Sequence, residues 1–240
     1  LPGEPTGPDI FTVDLCDREA VQRAVEEVQP DVVVHLAGIA FVAHSNADLI
    51  YRVNIVGTRN LLDALAGARH QPSNVLLASS ANIYGHVDVP VIDESMTPAP
   101  FNDYGVSKLA MEHMAKLWSD KLPIIIVRPF NYTGVGQEVN FLLPKIVSHF
   151  RREERRIELG NLAIARDFSD VRMVSRVNLH TLVSGALHRD TVDTRRIKAR
   201  ADPARKVLAG GILEHRDVVE IMVIELLEQR LERGLDVGEV

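Results

Sequence analysis

Three short apolar runs constrain this chain more than any other feature. Asp31–Leu36 (DVVVHL), Asn74–Ser80 (NVLLASS) and Leu122–Arg128 (LPIIIVR) are nearly continuous in branched and aliphatic residues. Each is far too short to cross a membrane; the first reads as a strand buried on both faces of a parallel sheet, the second as another buried strand and the third as a further strand. Asp9–Leu15 (DIFTVDL) reads as a further strand. Helical spacing fills the intervals. Asp17–Gln29 sets Ala20, Val21, Ala24 and Val28 on one side and stops at Pro30. Ala47–Ala66, Asp103–Lys121 and Phe141–Arg152 are the other predicted helices. Alternation of this kind predicts an α/β fold, a parallel sheet covered by helices, with right-handed crossovers. Ligands of such sheets bind at the carboxyl ends of the strands. The segments to search for chemistry are therefore AGIAFVAH after Leu36, ANIYGH after Ser80 and PFNYTG after Arg128.

Composition removes several classes of function. The 240 residues carry 27 Lys+Arg against 33 Asp+Glu, a net charge of −6, so no basic excess points to nucleic acid. One cysteine, Cys16, excludes an internal disulfide framework and a multi-cysteine zinc site. No uncharged apolar run approaches the roughly 18 residues a membrane span needs, and no basic-then-apolar leader opens the chain. The expectation is a cytoplasmic protein. Pro2, Gly3, Pro5, Gly7 and Pro8 make the opening a loop or linker.

Tyr104-Gly-Val-Ser-Lys108 is the first candidate for chemistry. Residues four apart share one helix face. A nearby ammonium favours the phenolate, so such a tyrosine can exchange a proton with a sugar hydroxyl or ketone. Ser79 and Ser80 close a predicted buried strand 24 to 25 residues earlier. A hydroxyl there can hydrogen-bond a substrate oxygen on which charge develops.

In that order the motifs resemble the extended short-chain dehydrogenase/reductase family, whose members act on nucleotide-sugars with a nicotinamide cofactor. The matching residues are Val13-Asp14-Leu15 with Asp17; His35-Leu36-Ala37-Gly38; Asn54 with Gly57-Thr58 and Asn60-Leu61-Leu62; Ser79-Ser80 through Tyr84-Gly85; Tyr104 to Lys108; Arg128-Pro129-Phe130-Asn131; and Arg166-Asp167-Phe168 with Asp170-Val171. The resemblance covers roughly residues 9–174. It implies a Rossmann-like, doubly wound parallel sheet over residues 1–150 and a small helical or mixed lobe over 151–240.

The resemblance also implies roles. Ser80, Tyr104 and Lys108 would be catalytic, with Ser79 structural. Asp14 and Leu15 would contact adenine of NAD or NADP. Leu36, Ala37 and Gly38 would line the cofactor, Asn54 would support it, Lys108 would hold its ribose, and Pro129 and Phe130 would sit by the nicotinamide. Ser80, Asn82, Asn131 and Arg166 would meet the substrate, Arg166 suiting a diphosphate through its two-pronged hydrogen bonding. Dehydratase members place acids after the catalytic Ser/Thr; Ala81 and Asn82 stand there in this chain, and neither can move a proton. Reduction of a 4-keto group is favoured, on a GDP-sugar ahead of a UDP- or dTDP-sugar. A 4-epimerase of the UDP-glucose type or a dehydratase of the same family is the alternative, and a non-catalytic fragment lacking the cofactor cradle is the alternative from another class. The helices at 48–66 and 103–121 are where such enzymes form a homodimer.

Two departures stand out. No Gly-x-x-Gly-x-x-Gly occurs in the chain. The strand–helix–strand unit that carries it, about 30 residues or more, is expected to be missing, leaving the sheet N-terminally incomplete. After about Val174 the resemblance fades. There, Arg189–Arg205 reads as a charged linker and His215–Gly234 as an amphipathic helix. His35 is expected to be a packed core residue. Scattered histidines give no metal-ligand spacing, so no metal is expected. The Arg151–Arg156 run, mixed in sign, reads as a solvated helix end.

Overall fold

The computed structural model of the chain describes residues 11–40, 46–89, 91–159 and 166–185. The predicted helix at 215–234 and linker at 189–205 lie outside them. The described residues fall into two compact units, divided between Pro129 and Phe130, with the residues from Thr181 onward counted with the first.

The first unit holds a three-stranded parallel sheet, β1 (Val32–His35), β2 (Asn74–Ala78) and β3 (Ile124–Val127), in the order β1-β2-β3. Val33 lies opposite Val75 on one side of β2, and Leu77 lies opposite Ile126 on the other. Helix α1 (Arg18–Val28) begins where the Asp17 side chain accepts a hydrogen bond from the Ala20 amide. It ends at Gln29, which takes the left-handed conformation before Pro30. The crossover from β1 to β2 is one helical stretch in three parts: α2 (Ala47–Tyr51), a π-helical turn (Arg52–Gly57) and α3 (Thr58–Gly67). From β2 the chain enters a 3-10 turn (Ala81–Tyr84) and then α4 (Asp103–Ala115), before β3.

Val21, Val25, Leu62, Leu65, Met111, Ala115 and Trp118 of the helices pack with Val75 and Leu77 of β2 into one core. Side chains alternate across a strand, so Asn74 and Leu76 face the other way. There the Asn74 side-chain amide donates to the Leu182 carbonyl, and Leu182 is itself buried. Among the described strands, β2 is thus the one enclosed on both faces.

Three expectations are corrected. Phe11–Leu15 forms no strand, since a strand exists only through a neighbour's ladder hydrogen bonds and none is described beside it. β1 is not buried on both faces. Val33 and His35 turn inward, while Val32 and Val34 are each 46% exposed. The predicted helix at 103–121 loses α-helical geometry at Lys116, tightening into a 3-10 turn through Trp118.

The second unit has a two-stranded parallel pair, β4 (Asn131–Thr133) and β5 (Phe168–Asp170), with α5 (Leu142–Arg151); α6 (Val171–Gly185) begins in it and ends in residues counted with the first unit. α6 had no counterpart in the sequence reading. Its signal was Asp170, whose carboxylate accepts the Arg172 amide at the helix start. The Arg151–Arg156 run is exposed, as expected.

Candidate active site

Ser80, Tyr104 and Lys108 are brought together by two local devices. Ser80 caps the 3-10 turn, its hydroxyl accepting from the Asn82 amide at 3.2 Å. Asn102 caps α4, its side-chain oxygen accepting from the Gly105 amide at 2.8 Å. These caps meet at Gly105. A Cβ there would lie 2.8 Å from the Asn82 carbonyl and 3.0 Å from Pro100. Only a glycine lets the first turn of α4, with Tyr104 on it, come this close to the turn that begins at Ser80. Gly85, at φ +72°, closes the same turn in a conformation other residues rarely adopt.

Lys108 is buried, and its ammonium donates to the Ala78 carbonyl at 2.8 Å. The ammonium also lies 5.9 Å from the centre of the Tyr104 ring. Burial pulls its pKa down from the ordinary lysine value to about 8. Neutral pH therefore keeps a charged, poorly hydrated ammonium beside the phenol.

The Asn54 side chain ties α4 to the end of β1. It donates to the Ile39 carbonyl at 3.1 Å and to the Ser107 hydroxyl at 3.0 Å, and accepts from the Ile39 amide at 2.8 Å. Its place in the π-helical turn suits a functional position. Gly38 is the close approach here, since a Cβ would stand 2.9 Å from Asn54 Oδ1 and 3.1 Å from Lys108 Nζ. Leu36, Ala37 and Gly38 are all exposed at the carboxyl end of β1. A surface with no side chain at its centre and a lysine beneath it fits the ribose and nicotinamide of a dinucleotide.

Beneath this site His35 is buried and shares a 2.9 Å hydrogen bond with the Thr58 hydroxyl. Burial first, and the nearby Lys108 charge second, hold its pKa down to about 4. It is the packed core residue the sequence implied.

The remaining candidates divide between the units. Asp14 is exposed and accepts the Cys16 amide at 2.8 Å, while Leu15 is held by Asn60, which donates to its carbonyl. The Pro129 carbonyl accepts from the Ala81 amide, next to Ser80. In the second unit Asn131 opens β4 and donates to the Asp167 carbonyl at 3.1 Å, one residue from exposed Arg166. Phe130, just before Asn131, is half-buried.

Sequence reasoning missed three residues that build the site. Gly105 and Asn102 carried a signal, a capping residue three positions before a glycine, that only the approach of α4 to the Ser80 turn makes meaningful. Glu112 carried another, as the next i+4 position after Tyr104 and Lys108. It is buried and grips Arg128 through both carboxylate oxygens.

Ser80 after β2, and Tyr104 and Lys108 on α4, thus stand at the carboxyl end of a parallel sheet. The chain belongs to the NAD dependent epimerase/dehydratase family, which it matches over residues 3–191. It is 40% identical over 182 residues to GDP-6-deoxy-D-talose 4-dehydrogenase of Aggregatibacter actinomycetemcomitans, covering 76% of this chain and 62% of that protein. It is 35% identical over 167 residues to GDP-6-deoxy-D-mannose reductase of Pseudomonas aeruginosa, covering 65% and 55%. Among solved structures, RMD from Pseudomonas aeruginosa complexed with NADPH superposes with a TM-score of 0.68 at 32% identity, covering 73% of this chain and 62% of that one. The chain thus spans somewhat more than half the length of each of these proteins.

Proposed function

We propose that the protein is an NAD(P)-dependent oxidoreductase acting at carbon 4 of a GDP-linked 6-deoxy-hexose, reducing a 4-keto group. The observation that carries this reading is the meeting of Ser80, Tyr104 and Lys108 at the sheet edge, beside the open surface of Gly38. The names of the two relatives, both acting on GDP-6-deoxy-sugars, support the substrate class.

A bound nicotinamide would supply the hydride. Tyr104 would give its phenolic proton to the ketone oxygen as the alcohol forms. Ser80 would donate to the same oxygen and hold it in reach. The Lys108 ammonium, steadied by the Ala78 carbonyl, would stabilise the phenolate left behind and hold a ribose hydroxyl. Asp14 and Leu15 would take the adenine end, and Leu36, Ala37, Gly38, Asn54, Pro129 and Phe130 the nicotinamide end. Asn82, Asn131 and Arg166 would hold the sugar and its diphosphate. Ala81 and Asn82 leave no acid for eliminating water.

A homodimer through α2–α3 and α4 belongs to the same reading, supported by exposed Leu49, Val56 and Val106 on those helices. So does a cytoplasmic setting without nucleic-acid or membrane partners. Among the described residues, no helix is long and apolar enough to cross a membrane.

Tyr104→Phe tests the chemistry. NADPH consumption with a GDP-4-keto-6-deoxy-hexose should fall about 100- to 10,000-fold with the melting temperature unchanged. An unchanged rate would overturn the reading. Thermal unfolding with NADPH, NADH, GDP-mannose and UDP-glucose added singly tests the ligands. A site filled at a hundredfold excess over Kd adds about 2.7 kcal/mol. No shift with either dinucleotide would favour a non-catalytic role, and interconversion of UDP-glucose and UDP-galactose would favour a 4-epimerase.

A further inference from the structure

Tyr104, Lys108 and Glu112 stand four apart on α4, one above the next. On such a helix face an ammonium and a carboxylate at i and i+4 have Cβ atoms about 5–6 Å apart and attract each other. Lys108 nevertheless does not bond Glu112. Its ammonium donates to the Ala78 carbonyl at the end of β2. Glu112 instead spends both carboxylate oxygens on Arg128, which donates from Nε at 2.9 Å and from Nη2 at 2.7 Å. The third edge of the same guanidinium donates from Nη1 to the Tyr84 hydroxyl at 2.8 Å.

The placement is specific. Ala78 lies opposite Val127 across β2 and β3, so the carbonyl that holds Lys108 stands across from the residue just before Arg128. Tyr84 closes the 3-10 turn that starts from Ser80. One side chain therefore joins the end of β3, the face of α4 and the Ser80 turn. Glu112 is 3% exposed, so water does not compete for its oxygens. Other charged or titratable groups near this network are Glu94, whose charge acts on Tyr84, and His35, Tyr51 and Asp103. His35 approaches Lys108 from β1 and bonds Thr58. At the opening of α4, Tyr51 of α2 bonds Asp103 at 2.7 Å.

We propose that Arg128 is a positioning residue that occupies Glu112 and so keeps a buried carboxylate from capturing the Lys108 ammonium, leaving that charge to Ala78 and Tyr104. The proposal rests on the reading of Lys108 as the electrostatic partner of Tyr104. Opposite signs follow for the two halves of the pair. Removing Arg128 frees a negative charge toward Lys108 and stabilises its protonated form. Removing the Glu112 charge leaves a guanidinium unopposed and does the reverse.

The test follows the Lys108 titration by NMR of the chain labelled with 13C-lysine, its signal assigned among six lysines by Lys108→Met. Arg128→Met should raise the Lys108 pKa by about one unit, and Glu112→Gln should lower it by a similar amount. Arg128→Met with Glu112→Leu, which removes both charges at similar volume, should return it close to the starting value. If Arg128→Met does not fold, Arg128→Lys carries the test, with a smaller shift of the same sign. A purely structural pair would lower the melting temperature of both single variants without opposite shifts; that result, or a double variant that fails to return, overturns the proposal. Phenolate absorbance near 295 nm, corrected with Tyr104→Phe, is read on the same samples. If Lys108 moves and Tyr104 does not follow, the positioning role stands and the assignment of Lys108 as partner of Tyr104 falls.

Discussion

β2 and β4 are both short parallel strands, but their surroundings differ completely. Val75, Leu76 and Leu77 of β2 are fully buried between helices on one face and Leu182 on the other. β4 has β5 as its described partner, and its central residue, Tyr132, is exposed. Leu143 is the sole buried large apolar residue described between Phe130 and His180. Polar contacts described there include Thr133 with Gln137 and Asp170 with Arg172. The packing of the first unit suits the chemistry we propose there. Proton transfer needs atoms fixed within hydrogen-bond reach, and Ser80, Tyr104 and Lys108 are set on the packed half.

Four changes, ordered by expected size, would break or sharpen that contrast. The largest is Leu77→Ala in β2, which should cost about 2–5 kcal/mol in urea unfolding. The same change at exposed Leu142 on α5 should cost under about 1 kcal/mol, and equal losses would erase the distinction. Next comes acid sensitivity of the sheet unit. The folded-state pKa of His35 is lowered to about 4, so between about 6.5 and 4 the unfolded chain binds a proton the folded chain refuses. His35 thus contributes on the order of 3 kcal/mol above pH 6.5, lost as pH falls through 4. His35→Asn should flatten the dependence of melting temperature on pH across that window, and an unaltered slope would refute the assignment.

Third, Gly105→Ala should cost about 1–3 kcal/mol, because the new methyl meets the Asn82 carbonyl. It should also move Tyr104 away from Ser80, so activity should fall more than stability explains. The smallest effect on stability belongs to Arg166→Ala, within about 0.5 kcal/mol by thermal unfolding. Its effect should appear in KM for the GDP-sugar, roughly tenfold upward if one charge-assisted phosphate contact is lost, with kcat retained. A fall in kcat alone would place Arg166 elsewhere in the mechanism.

Much of this was legible in the residues. The runs VVVHL, NVLLASS and LPIIIVR became β1, β2 and β3 because apolar runs of that length can be satisfied only as strands in a packed sheet. Tyr104 and Lys108 shared a helix face because 3.6 residues per turn requires it. The enclosure of β1 was not legible: a run of apolar residues states what can be buried, while a covering layer decides what is buried. α6 was passed over because its valines and polar residues mark a helix only weakly.

The sequence by itself determined the order of the elements and the parallel pairing, because these follow from periodicity, and it supplied the candidate groups Ser80, Tyr104 and Lys108. Only the tertiary structure decided that α4 passes the Ser80 turn at Gly105, that Lys108 bonds the Ala78 carbonyl, and that Arg128 takes both oxygens of Glu112. Those facts depend on distances between residues as many as 30 positions apart. Such distances are fixed by the packing of a whole core, and no stretch of sequence contains them.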